Sequence, residues 1–292
     1  MSIYEDVTNR ILKQLEAGKI PWRKTWTCGL PKSLASGHEY RGVNILVLGS
    51  TKHASRYWMT YLQAVKLGGH VRKGEKATPV VYWKWRTPEE LAKLAEKTGK
   101  ENLAPCSPFV SAVFNLEQTE GITAPADDLK PDSDRRLQAA ELMLEVMPDK
   151  PEIVHTITSQ PAYSPGRDRI TMPHLSQFVS ADEYYATLFH EETHASGHPK
   201  RLNRFAETEG DQFEKYSFEE LVAEFGAAFL CAFTGIKNPE TEALQASYID
   251  GWAKVFRKDN RILLRAASAA QHAADYIRGK NVARHESEAV AA

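Results

Sequence analysis

The run Phe189-His190-Glu191-Glu192-Thr193-His194, with Ser180 upstream and Gly197 just beyond, sets two histidines four residues apart inside one segment that reads as helix. Ser180 and Glu183 stand in capping-box register at its start, and Gly197 supplies a stop. At 3.6 residues per turn the imidazoles of His190 and His194 lie one above the other on a single face, close enough to share a divalent ion. Glu191 is turned by about 100° from His190. Its carboxylate therefore falls beside such an ion, where a base is placed to deprotonate a bound water. Ten histidines in 292 residues make this HExxH pattern a chance event expected about 0.03 times.

A catalytic ion needs a third protein ligand and an open position. An HExxHxxGxxH pattern would put a third histidine at position 200; Gly197 matches, but Lys200 occupies that place. His198 follows His194 by one turn, yet Gly197 and Pro199 flank it and the helix has ended there. Downstream, Ser217 and Glu220 repeat the capping-box register before the apolar stretch 221–234, and Glu220 with Glu224 forms an ExxxE pair. Glu220 is the expected third ligand. Glu224, one turn on, is placed to accept a hydrogen bond from a ligating histidine and hold its tautomer. Glu219 is the rival ligand. In the blander reading Glu220 only caps its helix and Glu224 is solvated, although an uncompensated carboxylate among Leu221, Val222, Phe225 and Phe229 is costly. A metal with a glutamate base suits amide hydrolysis, and Tyr216, His198 and Arg201 are the candidate donors to a developing oxyanion. Zinc is the expected ion, with manganese or another divalent ion as the alternative.

Working outward, Ile3, Val7, Ile11, Leu12 and Leu15 follow helical spacing closed by Gly18 and Pro21. Residues 56–67 read as a second helix, and 77–85 and 109–116, rich in Val, Phe, Tyr and Trp, as strands. The stretch 117–134 collects Gly, Pro and acid and reads as a linker. Beyond it, 135–146 reads as helix, 153–157 and 169–172 as short strands around the turn Ser164-Pro165-Gly166, and roughly 240–257 and 260–278 as closing helices. The last dozen residues read as a frayed tail. The expected fold class is α+β with two domains: a mixed α/β domain over 1–127 and an HExxH, metallopeptidase-like domain over 132–292.

With 42% hydrophobic residues, 26% charged residues and a mean hydropathy of −0.45, the composition is that of a soluble globular protein. The longest apolar run is broken by Glu224, which excludes a membrane span. The N-terminus carries Glu5 and Asp6 and no apolar signal core, and Cys28, Cys106 and Cys231 have unrelated spacings. No export, no disulfide framework and a reducing cytoplasm are expected.

The near-neutral net charge conceals a division. Residues 1–86 hold 15 Lys and Arg against 5 Asp and Glu, which leaves 22 against 33 for the rest. A basic first part and an acidic remainder point to an acidic partner for the former and to attraction between the two. Five of the six tryptophans also lie in the first part, interleaved with cations as Trp22-Arg23-Lys24 with Trp26, Arg56-Tyr57-Trp58 and Tyr82-Trp83-Lys84-Trp85. Aromatic faces for unstacked bases and cations for phosphates are what single-stranded DNA requires. The DNA-contact candidates are Trp22, Arg23, Lys24, Trp26, Arg41, Arg56, Tyr57, Trp58, Arg72, Lys73, Lys76 and Lys84, with about half the rings expected in the core.

In both parts the chain resembles the ArdC-type antirestriction proteins of conjugative plasmids, nearly end to end. Segments 6–26 (DVTNRILKQLEAGKIPWRKTW), Tyr40-Arg41-Gly42-Val43-Asn44 and 69–85 (GHVRKGEKATPVVYWKW) are similar to that family's single-stranded-DNA-binding domain, also found at the N-terminus of plasmid primases. Segments 187–204 (TLFHEETHASGHPKRLNR) and 216–231 (YSFEELVAEFGAAFLC) resemble its zincin metallopeptidase domain. The resemblance implies a gluzincin-like metal domain, DNA binding and protection of incoming plasmid DNA from host restriction, in the recipient's cytoplasm. It implies His190, His194 and the acid of the second motif as ligands and Glu191 as base; Glu224 stands where related gluzincins usually have Asp. A host restriction protein is then the conceivable target. The competing hypothesis is a single-strand-binding protein whose metal site is structural or vestigial.

Overall fold

In this computed structural model the residues described are 3–23, 29–99, 103–123, 125, 133–158, 160–207, 212–237 and 245–280. The first domain opens with α1 (Ile3–Glu16), whose buried stripe is Val7, Thr8, Ile11, Leu12 and Leu15. Helix α2 (Val43–Gly49) is buried along its whole length; having no polar face, it carries no amphipathic period by which a sequence reading finds it. Strands β1 (Lys32–Ser33), β2 (Tyr57–Met59), β4 (Thr78–Trp85) and β5 (Cys106–Asn115) form a sheet of order β1-β2-β5-β4. Strands β3 (His70–Val71) and β6 (Thr119–Glu120) make a separate pair.

The helix expected over 56–67 is a correction. Tyr57–Met59 is strand, with Trp58 opposite Asn115 and Met59 opposite Phe114, and helix α3 (Tyr61–Lys66) starts only after Thr60, whose side chain caps it in a capping box with Gln63. Burial of Tyr57, Trp58 and Met59 favours a strand that packs on both faces over continued helix. Helix α4 (Pro88–Thr98), capped by Thr87 and closed by Gly99, lies between β4 and β5 and was not anticipated. Of the expected linker, 117–120 lies in a short 3-10 turn and β6 and 133–134 opens the next helix, whereas 124 and 126–132 fall outside the described residues.

The second domain begins with α5 (Ser133–Val146), followed by a sheet of order β7-β9-β8. Strands β7 (Glu152–Thr156) and β9 (Arg169–Pro173) are the expected pair and run parallel. The turn at 164–166 joins β9 instead to β8 (Ala162–Ser164), its antiparallel neighbour, a strand too short to show alternation. Helices α6 (Ala181–Ser196), α7 (Arg204–Glu207), α8 (Gln212–Thr234), α9 (Gln245–Lys258) and α10 (Ile262–Ile277) complete it. Ser180 Oγ accepts from the Glu183 N–H at 3.2 Å, as its register predicts. Ser217 and Glu220 do not open a helix: α8 begins at Gln212, so both lie within it. The expected tail lies outside the described residues.

From Leu221 on, helix α8 is largely apolar and packs between α6 and α10, as a central helix must. A Cβ on Gly226 would stand 2.5 Å from Thr193 Cγ2. The absence of that atom lets α8 approach α6 beside the HExxH turn, which fixes where Glu219 and Glu220 arrive.

The two domains share one core. Trp22, fully buried, sets its ring edge-on to Phe225 of α8 at 5.0 Å and to Phe256 of α9 at 6.2 Å. Helix α1 lies along α9, with Thr8 Oγ1 donating to Asn260 O at 2.9 Å. Polar ties add to this: Arg41 pairs with Asp275, and the Gly42 N–H donates to Gln271 Oε1 at 3.0 Å. The contact between the oppositely charged parts is thus chiefly apolar, with the ion pairs Arg41–Asp275 and Arg257–Glu16 beside it.

Candidate metal centre

Two consecutive turns of α6 carry His190 and His194, and their Nε2 atoms stand 3.2 Å apart. Across the gap to α8, Glu220 sets Oε2 3.8 Å from His190 Nε2 and Oε1 3.5 Å from His194 Nε2. One donor atom from each of the three residues lies within 4.8 Å of the others. The side chains of His190 and Glu220 keep 23% and 28% of their area exposed, so the cluster opens to solvent on one side. Two imidazoles, a carboxylate and an open side are the donor set of a catalytic divalent site, and three such donors converging on one point fit an ion.

The surroundings tune each group. Glu191 Oε2 accepts the Tyr163 N–H at 2.7 Å, so strand β8 holds the carboxylate from its edge. Burial raises the Glu191 carboxyl above its ordinary value, opposed by His194 and by that N–H. Burial also raises Glu220, and the neighbouring charges of Glu224 and Glu219 act in the same direction. The exposed Tyr216, one turn before Glu220, has its hydroxyl pushed up chiefly by the charge of that carboxylate.

Behind His194 sits a relay. His194 Nδ1 is 3.1 Å from Glu219 Oε1, and Arg204 grips Glu219 in a fork, Nε to Oε2 at 2.8 Å and Nη2 to Oε1 at 2.6 Å. Burial opposes ionisation of Glu219, but the bonds from Arg204 and His194 outweigh it and hold the carboxyl below the usual range. Burial likewise pulls His194 down, and the carboxylates of Glu219, Glu220 and Glu191 outweigh it and raise the ring. The turn that returns Arg204 to this place requires Gly197, since a Cβ there would meet Phe205 Cε1 at 2.7 Å.

Of the acids near the motif, Glu219 was the rival ligand in the sequence reading, and the structure puts it on the outer nitrogen of His194 instead. Glu224 acts on Glu220 through its charge. Arg204 and Tyr163 carried no signal, because one follows a glycine turn and the other acts through its backbone. Glu192 is wholly buried, with neither carboxylate oxygen hydrogen-bonded among the described residues, and burial pushes its pKa up to about 8. Among the candidate oxyanion donors, Arg201 has no exposed side-chain area and is bound to Asp168, Tyr163 Oη and the carbonyls of Ala195 and Asp149. It braces β8 and β9 against the end of α6. His198 lies 4.0 Å from Asp168, which leaves Tyr216 as the candidate in contact with the donor cluster.

The DNA-contact candidates divide. Trp22, Tyr57 and Trp58 are corrections, for all three are core residues with no ring face open to a base. Arg41 is tied to Asp275, Arg56 lies 5.5 Å over the Tyr57 ring, and Arg72 donates to Glu75 at 2.8 Å and to the Glu117 carbonyl at 2.5 Å. Lys73, Lys76 and Lys84 are exposed. Lys24, Trp26 and the side chain of Arg23 lie outside the described residues. No helix among the described residues is long and apolar enough to cross a membrane.

Comparison with known proteins accords with this architecture. Residues 1–114 match the family model of the N-terminal domain of anti-restriction factor ArdC, and residues 140–269 match that of a zincin-like metallopeptidase. Fold and donor cluster thus define a zincin-like domain behind an ArdC-type N-terminal domain. The metal-free crystal structure of the antirestriction ArdC protein from plasmid R388 is 36% identical with a TM-score of 0.75, over 95% of this chain and 97% of that one. Its Mn(II)-bound form is 35% identical, also at 0.75, over 97% and 100%. This chain belongs to the ArdC-type antirestriction family. It is also 36% identical to the DNA primase TraC of Escherichia coli over 94% of its own length, although it spans only 27% of that longer protein. The y4eC protein of Sinorhizobium fredii is 34% identical and 91% covered.

Proposed function

We propose that this chain is an antirestriction protein that binds single-stranded DNA through its first domain and carries a metal-dependent, metallopeptidase-like hydrolase site in its second. The observation that carries the reading is the convergence of His190, His194 and Glu220 within 4.8 Å, with Glu191 beside them. These three residues hold the ion, for which a two-histidine, one-glutamate set suits zinc; the Mn(II)-bound relative supports manganese as the alternative. A bound divalent ion supplies Lewis acidity, polarising a carbonyl and acidifying water.

The chain's own residues do the rest. Glu191, its Oε2 held by the Tyr163 N–H, takes and returns a proton through Oε1, and its raised carboxyl brings it nearer the working range of a base. Glu219 orients His194 from behind, and Glu224 acts on Glu220 through its charge. Tyr216, at the open side, donates to the oxygen on which charge develops. The basic charge of the first domain and the primase relatives support single-stranded DNA as the partner, with a host restriction protein as the conceivable target of the hydrolase and the cytoplasm as its place of action.

The test combines elemental analysis of the purified protein with a transformation-protection assay of Glu191→Gln. One divalent ion per chain, lost in His194→Ala, together with loss of protection in Glu191→Gln, is the expected result. Full protection by Glu191→Gln would leave a strand-binding protein with a structural metal site, and a chain without stoichiometric metal would remove the ligand assignment.

A further inference from the structure

With Trp22, Tyr57 and Trp58 in the core, a strand-binding domain needs its aromatic contact elsewhere, and the β4–β5 ladder presents one. Tyr82 pairs with Phe109 and Lys84 with Ser107 in the register of the two strands. Side chains two residues apart along a strand share a face, so Tyr82, Lys84 and Arg86 stand together with Ser107, Phe109 and Ser111. The Tyr82 and Phe109 rings are stacked, with centroids 5.5 Å apart and an interplanar angle of 26°. Phe109 remains 48% exposed.

The platform is held from beneath. The Tyr82 ring packs against the small cluster of Tyr40, Leu48, Trp58, Val80 and Val113. One face of Phe109 is thereby set on an anchored ring. Two cations flank the pair: Lys84 is exposed, and Arg86 Nη2 donates to Ser107 Oγ at 2.8 Å. Neither strand contains an acidic residue.

An outward ring stacked on a fixed ring, flanked by cations, with hydroxyls on the same face and no acid in either strand, fits a nucleobase and its phosphates better than an apolar protein surface. We infer that Phe109, backed by Tyr82 and flanked by Lys84 and Arg86, is a stacking platform for an unpaired base of single-stranded DNA. The inference rests on the DNA-binding reading above and names its point of contact. Stacking on one aromatic contributes about 1–3 kcal/mol per base, or about 5- to 150-fold in affinity. One phosphate contact by Lys84 adds about 0.7 to the slope of log affinity against log salt.

The test uses the full chain and two fluorescein-labelled probes of equal length, an oligothymidylate and the same backbone made abasic, read by anisotropy at one fixed salt concentration. Phe109→Leu, which keeps apolar packing but removes the π face, is expected to weaken oligothymidylate binding by about 5- to 150-fold and to leave abasic binding unchanged. Phe109→Trp is expected to retain or tighten oligothymidylate binding, and Lys84→Gln to lower the salt slope for both probes. Unchanged oligothymidylate affinity in Phe109→Leu overturns the platform while the DNA-binding reading stands. Failure of the wild type to bind either probe removes both. An equal loss on both probes in Phe109→Leu marks a structural role and also overturns the inference.

Discussion

The donor cluster between α6 and α8 and the aromatic strands of the first domain present their chemistry by different routes. At the cluster, helical spacing sets His190 and His194 on one face of α6, and the packing of α8 against it brings Glu220 to them, so that the three donors converge. In the first domain, two rings that the sequence offers to DNA, Trp22 and Trp58, are buried, whereas Phe109, which was not among those candidates, is exposed. A histidine pair with helical spacing and a carboxylate has few other uses, so its type and period announce its role. A tryptophan serves a core and a base equally well, so neither type nor neighbouring charge distinguishes the two.

The strongest way to break this comparison is at Trp22, which the sequence offers to DNA and the structure gives to the shared core. Trp22→Ala is expected to destabilise the whole chain by about 3–5 kcal/mol, a large share of a typical domain's stability. The loss should appear as one lowered melting transition, because the ring touches both α8 and α9. Residues 1–127 made alone lack those partners and are expected to melt well below the intact chain. A Trp22→Ala protein that melts like the wild type but binds oligothymidylate poorly would return the ring to the DNA surface.

The metal side of the comparison is sharpened at Glu219. Glu219→Gln keeps the shape but removes the charge that holds His194 Nδ1 and answers Arg204. Outer partners of a ligating histidine typically contribute about 10- to 100-fold in metal affinity. A loss of that size is expected in competition with a chelating dye, with the fold intact by circular dichroism. Unchanged affinity would make the Arg204 fork a packing feature only.

The smallest effect lies in the first domain, at Glu117. Its carboxylate accepts from the N–H groups of Ala54 and Ser55, both at 3.0 Å, and meets His53 at 3.2 Å. Burial opposes its ionisation, yet these partners outweigh it and hold the carboxyl below the usual range. A folded value below the unfolded one of about 4.3 means that the contribution is present above that pH and lost as pH falls through the folded value. Glu117→Gln is expected to lower the melting temperature slightly at neutral pH and to converge with the wild type on acidification. A gap that widens in acid would reverse the assigned direction.

How much was legible follows the range of the forces. Helix α1, the cap of α6 at Ser180, the strands β4 and β5 and the parallel partners β7 and β9 all carry periodic or capping signals over a few residues. Helix α2 and strand β8 carry none, being respectively uniformly buried and too short. Residues 56–67 were misread because Thr60 marks a helix start inside what looked like a continuous helix, and the preceding strand exists only through its pairing with β5.

By itself the sequence determined the HExxH helix and the basic character of the first part and narrowed the third acid to Glu220 or its rival Glu219, since each depends on residue type and local spacing. Only the tertiary structure decided that Glu219 lies behind His194, that Tyr163 steadies Glu191 through its backbone, and that the two domains share a core through Trp22. Those three join segments far apart in the chain. What brings them together is close packing, such as Thr193 against Gly226, and packing is a property of surfaces that exist only after the chain has folded.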